Sequence, residues 1–316
     1  MQARAVGLVA GFAADRILGD PATGHPVAAF GHFAHDVEKR VWADDVVTGA
    51  AYTAVLVGSA GSLGALIARA TRRRPLLQAV TTGAATWVVL GGRSLGREAE
   101  AVRHHLAADD LPAARRRLTH LVGRDTESLD EGEIARAVVE SVAENTSDAV
   151  VAPLLAGAVA GLPGLLAYRA ANTLDAMVGH RGTRYERFGR ASARLDDLFN
   201  LVPSRVSALL AAGFAPTVGG DTGRAMDVWR RDAPHHPSPN AGPVEAAFAG
   251  ALDVQLGGVN TYRDRMEDRH TLGDGRPVEP DDITRSVRLA ELVGAAALGT
   301  AALIALRPRR RRPADR

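Results

Sequence analysis

The chain has 316 residues, a formal net charge of +2 and no cysteine. The lack of cysteine excludes disulfides, zinc sites built on thiolates and cysteine nucleophiles. Lys39 is the only lysine, so a phosphate-binding loop of the type G-x-x-x-x-G-K-[ST] is excluded too. Aromatic residues make up only 4 % of the chain, which argues against base stacking. We therefore expect no nucleic-acid partner.

Five apolar segments stand out along the chain: residues 46–68, 75–92, 149–168, 206–220 and 292–306. The first three carry no charge over 23, 18 and 20 positions, and the last two are runs of 15. Because about 20 apolar residues are needed to cross a bilayer, we interpret the whole chain as a single integral-membrane domain. A soluble bundle of buried helices rich in Ala and Gly is the alternative.

The segments between the apolar runs are polar and mostly helical in pattern. Residues 93–148 and 221–288 are the longest of them, and residues 307–316 form a basic tail. In residues 97–122 apolar side chains recur at helical spacing, and no segment shows sustained alternation of polar and apolar residues. The predicted fold class is therefore all-α: a polytopic membrane protein of helices with long helical polar loops.

The arginines indicate a topology for the predicted spans. The loop 69–74 and the tail 307–316 are densely basic, which places both in the cytoplasm by the positive-inside rule. If all five apolar segments cross, loops 93–148 and 169–200 lie on opposite sides of the membrane. Segment 149–168, however, contains five residues that interrupt helices: Pro153, Gly157, Gly161, Pro163 and Gly164. This composition is typical of a broken or re-entrant helix.

Three acidic residues occur one helical turn apart in the stretch VVESVAENTSD: Glu140, Glu144 and Asp148. Residues at this spacing share one helix face, where like charges repel by a few tenths of a kcal/mol per pair. We expect a metal ion or an arginine to face this acidic stripe. A solvated helix face is the alternative, but the apolar segment that follows at once argues against it.

Further oxygen-bearing side chains occur as two pairs at helical spacing. Asn172 and Asp175 are three residues apart, and Asp196 and Asn200 are four apart. Mg²⁺ prefers oxygen ligands, usually one or two carboxylates together with substrate phosphates. The pairs and the acidic stripe together predict a site for Mg²⁺ and phosphate, although helix caps and turns use the same residue types.

A series of motifs follows in order between about residues 12 and 290: DRILGDP, RDT, EIARAVVESVAENTSDAVVAPL, YRAANTLDAMVGHR, FGRASARLDDLFNLVPSR and SPNAG. Together they closely resemble the CobD/CbiB family, the adenosylcobinamide-phosphate synthases of cobalamin biosynthesis. His180, Ala149 and Asp253 depart from the family pattern, and all three are peripheral to the acids.

The resemblance implies a multi-pass protein of the cell membrane. Members of this family join adenosylcobyric acid, a corrinoid, to (R)-1-aminopropan-2-ol phosphate or to the unphosphorylated amino alcohol, with ATP and Mg²⁺. The expected partners are these substrates, membrane lipid and other membrane-bound enzymes of cobalamin assembly. Since ATP and the corrinoid are cytoplasmic, we expect the active site on the cytoplasmic side. The motif loops should then share that side, and segment 149–168 should be re-entrant.

The family resemblance marks positions, and we infer the roles from chemistry. Without a phosphate-binding lysine, arginines must hold the phosphates. The predicted catalytic residues are Glu140, Glu144, Asp175 and Arg124. The predicted residues for binding ATP and substrate are Asn145, Asn172, Arg169, Arg194, Ser238 and Asn240, although SPNAG is also a turn sequence by itself. The predicted metal ligands are Asp148, Asp196, Asp197 and Asn200.

Two other functions fit a polytopic protein with conspicuous polar clusters. A corrinoid transporter would place its acids inside spans and would show internal symmetry. A non-catalytic scaffold for corrinoid enzymes would keep amide formation intact after Glu140→Gln or Asp196→Asn.

Overall fold

The computed structural model of the chain describes residues 2–307, apart from residues 22, 23, 181, 183, 263 and 264. The predicted basic tail therefore lies outside the described residues except for Arg307. The α-helices in chain order are α1 (Gln2–Leu18), α2 (Pro26–Val41), α3 (Val46–Thr71), α4 (Pro75–Val89), α5 (Gly92–Ala107), α6 (Leu111–Leu118), α7 (Glu131–Thr146), α8 (Ala152–Ala160), α9 (Leu162–Leu174), α10 (Arg190–Phe214), α11 (Thr222–Asp232), α12 (Ala241–Leu252) and α13 (Pro280–Leu306). Two strands, β1 (Leu256–Tyr262) and β2 (Arg265–Leu272), lie between α12 and α13.

Three helices of the described chain are long and apolar enough to cross a membrane: Val46–Thr71, Arg190–Val218 and Pro280–Leu306. The first is α3, the second is α10 with the short turn that follows it, and the third is α13. The predicted runs 206–220 and 292–306 are thus the C-terminal halves of longer helices. The structure confirms the predicted fold class, an all-α polytopic membrane protein.

The outer faces of these long helices are apolar. Leu63 and Leu66 on α3, Leu209 on α10 and Leu303 on α13 are all more than half exposed. Polar and charged side chains, in contrast, occur among the buried residues of the interior. An apolar surface around a partly polar interior suits a protein whose surroundings are lipid.

Helix α4 covers most of the predicted segment 75–92, but with 15 residues it is shorter than a span. It packs along α1 through close backbone contact. A Cβ atom at Gly7 or Gly11 of α1 would collide with the side chains of Thr82 and Thr86 on α4. Glycines four residues apart let two helices approach in this way.

The predicted segment 149–168 is not a single helix. It begins in a wide helical turn, Ser147–Val151, continues as α8 and reverses at Gly161 into α9. Gly161 has φ +72° and ψ −148°, a conformation that essentially only glycine adopts. Arg4 caps the end of α8 by donating to the carbonyl of Ala158 at 3.0 Å. Because α8 and α9 pack against each other, both ends of this segment lie close together, as expected for a re-entrant segment.

The β-hairpin was not expected within the predicted helical loop 221–288. Its strands are antiparallel, with Leu256 opposite Leu272 and an irregular register between Gly257 and Val259. Gly257 and Gly258 both have positive φ and interrupt the alternating pattern from which a strand is predicted. The hairpin packs against α7 and α12, so tertiary contacts support it.

Candidate functional site

The ends of α7 and α9 meet the N-terminal half of α10 and bring separate polar stretches together. The centre of this cluster is Asp196 on α10, which is 7 % exposed. Its carboxylate accepts from Asn172 Nδ2 at 3.3 Å and from Asn200 Nδ2 at 2.9 Å. Asp196 and Asn200 thus lie on one face of α10, as their spacing predicts, and Asn172 reaches them from α9.

Tyr168 joins this cluster to the end of α7, although the sequence analysis assigned it no role. Its hydroxyl lies 2.9 Å from Asn200 Oδ1 and 3.0 Å from the carbonyl of Asp148. Tyr168 lies four residues before Asn172 on the same helix face, and this spacing in the motif YRAAN was the available signal.

Asp148 and Asp175 both lie in wide helical turns, Ser147–Val151 and Asp175–Gly179. Such turns are rare and often occur at functional sites. A Cβ atom at Gly179 would collide with the carboxylate of Asp175, so glycine is needed there.

Burial and neighbouring carboxylates shift the ionisation of both acids. Burial raises the pKa of Asp175 to about 7, and the charges of Asp196, Asp197 and Glu144 add to the effect. Burial also raises the pKa of Asp148, with the charges of Asp196 and Glu144 as the next causes. The carboxylates are therefore close enough to repel one another, and bringing a cation among them would relieve that repulsion.

Asp148, Asn172, Asp175, Asp196 and Asn200 together form the carboxylate–amide cluster. Arg169 is a cation beside it. Its Nη1 donates to Asn172 Oδ1 at 3.4 Å, and its Nε is buried without a hydrogen-bond partner. Asp20, from the first sequence motif, and Asp148 both lie within electrostatic range of it. The unpaired N–H gives this arginine a donor that it can offer to an anion.

Asn240 ties the start of α12 to α10. Its Nδ2 donates to the carbonyl of Asp197 at 2.9 Å, and its Oδ1 accepts from Arg205 at 3.0 Å and from Ser204 at 3.2 Å. Ser238 instead caps α12, since its hydroxyl accepts from the backbone N–H of Ala241. The turn sequence SPNAG therefore places a buried amide beside the cluster.

Glu140 is held by donors from three directions and is 3 % exposed. Arg124 Nη2 donates to it at 2.9 Å, Arg136 lies at 3.5 Å, and the backbone N–H of Gly257 donates at 2.8 Å. The cation that faces this part of the acidic stripe is arginine. The catalytic roles of Glu140 and Arg124 stay predictions, but the structure shows that the two are paired with each other.

A polar cavity of about 110 Å³ lies between α7 and the hairpin. The charged and polar residues that line it are Arg124, Glu140, Ser141, Glu144, Asn260 and Arg269. Arg124 Nη1 also donates to Asn260 Oδ1. Glu144 lines this cavity and also lies within electrostatic range of Asp148 and Asp175, so the cavity and the carboxylate–amide cluster are neighbours.

The predicted metal ligands fit Mg²⁺ in chemistry. Asp148, Asp196, Asp197 and Asn200 supply carboxylate and amide oxygens, the donors that Mg²⁺ prefers. No group of three His, Asp or Glu side chains within the described residues is arranged to hold an ion by itself. Such a site needs further oxygens, and substrate phosphates supply them in many Mg²⁺ sites.

Two predicted residues lie apart from the cluster. Arg194 is exposed on α10, and as it precedes Asp196 by two residues it lies on a different face of that helix. Asn145 donates to the backbone carbonyl of Ser141 at 2.9 Å, within its own helix. Sequence spacing alone did not separate these two from the clustered residues.

Glu245, His236 and Arg269 form a buried group that the sequence analysis did not single out. Glu245 is fully buried on α12, 3.6 Å from Arg269 Nη1 and 3.8 Å from His236 Nε2. Burial raises the pKa of Glu245 to about 8. A lone acid in the otherwise apolar stretch AGPVEAAFAGAL was the signal that could have identified it.

The fold and the site define an all-α polytopic membrane protein in which carboxylates and amides from separate polar stretches cluster beside a polar cavity. The family model described as "CobD/Cbib protein" matches residues 8–290. The chain belongs to the CobD/CbiB family.

Curated relatives match the chain over most of its length. It is 49 % identical over 312 residues to "Cobalamin biosynthesis protein CobD" of Mycobacterium tuberculosis, covering 99 % of this chain and 98 % of the relative. It is 44 % identical over 275 residues to the protein of the same name from Geobacter metallireducens, covering 85 % and 86 %. No solved structure matches the chain.

Proposed function

We propose that this chain acts in cobalamin biosynthesis and forms an amide bond between adenosylcobyric acid and (R)-1-aminopropan-2-ol phosphate or aminopropanol, with ATP as cosubstrate. Its membership of the CobD/CbiB family and the names of its relatives support the pathway. The main support for the proposed reaction is that four side chains from three sequence stretches lie close together: Asp148, Asn172, Asp175 and Asp196.

Amide formation from a carboxylate requires an activated acyl group. In the proposed reaction the substrate carboxylate takes the γ-phosphoryl group of ATP, which releases ADP and leaves an acyl phosphate. The amine then attacks the acyl carbon, and inorganic phosphate and a proton leave. Arginines must hold the phosphoryl oxygens, because the chain has no phosphate-binding lysine motif.

The positions of three residues suggest a separate role for each in this reaction. Arg169, with its buried and unpaired N–H, is placed to bind a phosphoryl oxygen beside the cluster. Asp175 is the proposed base for the amine, because it lies in a wide turn next to the cluster and burial raises its pKa to about 7. Glu140 is bonded to Arg124 and is proposed to position that arginine.

Mg²⁺, held by Asp148, Asp196, Asp197 and Asn200, would supply positive charge between the carboxylates and the phosphates of ATP. We further propose that the site faces the cytoplasm, where ATP is available. Corrinoid and amino alcohol are the proposed substrates. Membrane lipid and other membrane-bound enzymes of cobalamin assembly are the proposed partners.

The test is an assay of the purified full chain in detergent with adenosylcobyric acid, aminopropanol phosphate, ATP and Mg²⁺. Wild type is expected to form the amide and to release ADP in equal amount. Asp175→Asn is expected to lower kcat by about 100-fold or more, the scale of lost acid–base catalysis. Asp196→Asn removes a carboxylate from the proposed metal site and is expected to lower kcat as well. Asp227→Asn, an exposed residue on α11, is the matched control and is expected to change nothing.

The assay of Asp196→Asn and a separate uptake measurement distinguish the two alternatives. Unchanged amide formation in Asp196→Asn would favour the scaffold, with the activity residing in another protein. Corrinoid uptake into proteoliposomes by a chain that makes no amide would favour the transporter.

A further inference from the structure

The hydroxyl group of Tyr168 lies where three polar elements meet. Tyr168 is buried on α9, and its hydroxyl donates to Asn200 Oδ1 on α10 at 2.9 Å and to the carbonyl of Asp148 at 3.0 Å. A tyrosine hydroxyl has a single proton, and both neighbours are acceptors, so the two oxygens share this proton. The hydroxyl therefore ties α10 to the wide turn that carries Asp148.

The carbonyl of Asp148 needs a donor from outside its own helix. In the wide turn the N–H of Ala152 donates to the carbonyl of Ser147. The corresponding donor for the Asp148 carbonyl would be residue 153, which is a proline and has no N–H. Because a backbone carbonyl without a donor costs free energy away from water, the Tyr168 hydroxyl takes the place of the missing N–H. This contact is a structural reason for a tyrosine at position 168.

The contact with Asn200 has a different consequence, because it orients an amide. Asn200 Nδ2 donates to Asp196 Oδ2 at 2.9 Å, within α10. With the amide reversed, its oxygen would lie against a carboxylate oxygen, and both are acceptors. The proton that Tyr168 donates to Asn200 Oδ1 keeps the NH₂ group of Asn200 on Asp196. A chain of hydrogen bonds thus runs from Tyr168 through Asn200 to Asp196.

A second chain reaches the other oxygen of Asp196, but its contacts are longer. Arg169 Nη1 donates to Asn172 Oδ1 at 3.4 Å, and Asn172 Nδ2 donates to Asp196 Oδ1 at 3.3 Å. Hydrogen bonds of this kind are usually about 2.7–3.2 Å long, so this chain is the weaker of the two. The orientation of Asp196 therefore depends mainly on Tyr168. The contact at Asp196 Oδ1 is the one that a ligand can replace more easily.

We propose that Tyr168 is a positioning residue, which through Asn200 fixes the carboxylate of Asp196 for binding Mg²⁺. This inference rests on the proposed function, in which Asp196 is one of the metal ligands. In this role Tyr168 acts on the metal only through Asn200 and Asp196. Loss of a hydrogen-bond partner behind a metal ligand typically lowers metal affinity by about 10–100-fold. A role confined to the Asp148 carbonyl would instead affect stability alone.

The experiment measures binding of Mn²⁺, a paramagnetic substitute for Mg²⁺, to the purified full chain in detergent. Bound Mn²⁺ is determined from the loss of the electron paramagnetic resonance signal of the free ion. Asp196→Asn identifies the Mn²⁺ that belongs to the site, since that ion is expected to be lost. Tyr168→Phe removes the hydroxyl, keeps the ring and is expected to weaken binding of the same ion at least tenfold.

The amide assay gives a second readout for Tyr168→Phe. The Mg²⁺ concentration for half-maximal rate is expected to rise at least tenfold, and saturating Mg²⁺ is expected to restore kcat. A merely structural defect would lower the amount of active protein, and kcat would then stay low at every Mg²⁺ concentration. In the background of Asp196→Asn, Tyr168→Phe is expected to cause no further loss of Mn²⁺ binding.

Two further variants separate positioning from stability. Tyr52→Phe is the matched control, because Tyr52 is also buried and its hydroxyl donates to a backbone carbonyl, that of Ala34, at 3.1 Å. It is expected to lower the melting temperature and to keep the Mn²⁺ affinity of wild type. Tyr168→Phe/Pro153→Ala restores an N–H for the Asp148 carbonyl. It is expected to recover melting temperature but not Mn²⁺ affinity, and it keeps the test decisive if Tyr168→Phe folds poorly.

Unchanged Mn²⁺ affinity in Tyr168→Phe, or recovery of that affinity together with stability in the double variant, would overturn the inference. No Mn²⁺ binding by wild type, or the same bound Mn²⁺ in Asp196→Asn, would overturn it as well. If Tyr168→Phe weakens Mn²⁺ binding as expected but wild type forms no amide, this inference stands and the proposed function fails. Amide formation with a Mg²⁺ requirement that Tyr168→Phe does not change would have the opposite meaning.

Discussion

Glu140 shows how a residue chosen as a catalytic candidate acquires its partners from the fold. Arg124 lies 16 positions before it, and Gly257 lies 117 positions after it. A buried ion pair of this kind adds little to the stability of the folded state when compared with a well-packed apolar pair. Removing one partner alone is nevertheless strongly destabilising, because the other charge stays buried. Glu140 therefore has a positioning role in the structure, whatever it does in the reaction.

The first prediction concerns this pair. Glu140→Gln leaves the Arg124 guanidinium buried without a carboxylate, which is expected to destabilise the protein by about 3–5 kcal/mol. The measurement is the melting temperature in detergent, with the exposed Glu131→Gln as control. The stability lost in the double variant Arg124→Gln/Glu140→Gln is expected to be smaller than the sum of the stabilities lost in the two single variants. Strictly additive losses would show that the two side chains are energetically independent.

The second prediction concerns pH and Asp175, whose pKa is raised to about 7. The unfolded chain releases this proton near pH 4, so between about pH 4 and 7 the folded state binds more protons than the unfolded state. The contribution of Asp175 to the free energy of unfolding therefore falls as pH rises from about 4 to 7, and it is constant above pH 7.

In the absence of Mg²⁺, Asp175→Asn is expected to melt higher than wild type at pH 8 and to exceed wild type by a smaller margin at pH 5. Melting curves at the two pH values, with a metal chelator present, make the comparison. If the difference in melting temperature between wild type and Asp175→Asn were the same at both pH values, it would contradict the raised pKa of Asp175.

At the scale of the elements, the fold-back at Gly161 brings the two ends of the segment 149–168 together. It brings Tyr168 on α9 to within hydrogen-bonding distance of the Asp148 carbonyl, and it brings Asn172 to Asp196 on α10. A straight helix of 20 residues would instead separate its ends by about 30 Å. The cluster thus depends on one backbone reversal.

The third prediction tests this reversal. Gly161→Ala forces a side chain into a conformation that only glycine tolerates, and its Cβ would lie 3.2 Å from the Arg4 guanidinium. A loss of about 1–3 kcal/mol is expected. Gly213→Ala near the end of α10 is the matched control, since its added Cβ meets nothing within 4 Å beyond its chain neighbours and the backbone of its own helix. Melting temperatures of the two variants that fall equally would show that Gly161 has no special role.

At the scale of the whole molecule, the cluster joins polar stretches that must meet on one side of the membrane. The loop before α7 and the loop between α9 and α10 both contribute to this region, through Arg124 and through the turn that begins at Asp175. Three long apolar helices with exposed leucines place the molecule in lipid. We expect both loops on the cytoplasmic side.

The fourth prediction uses the absence of cysteine from the chain. A single cysteine at Glu127 or at Glu186, both exposed, gives a unique site for a membrane-impermeant maleimide. Both positions are expected to be protected in intact cells and labelled in inverted vesicles. Labelling of one from outside and the other from inside would separate the two loops across the membrane and contradict the proposed site.

The sequence by itself determined the helical class, the apolar segments and several of the residues that gather at the site. Those features follow from local patterns: runs without charge, helical spacing of acids and amides, and the helix-interrupting residues of segment 149–168. The fold-back could be expected because Pro and Gly act on their own backbone. Asp196 and Asn200 share one face of α10 as their spacing predicted, whereas the contact of Asn172 with Asp196 depends on how α9 packs against α10.

Only the tertiary structure decided which groups face each other. Arg124 meets Asn260 across 136 positions, and the hairpin that carries Asn260 and Arg269 forms against α7 and α12. Asn240, in a stretch that also reads as a turn, reaches α10, while Arg194 lies at the surface. Pairings between distant residues depend on packing, and local sequence patterns do not contain that information.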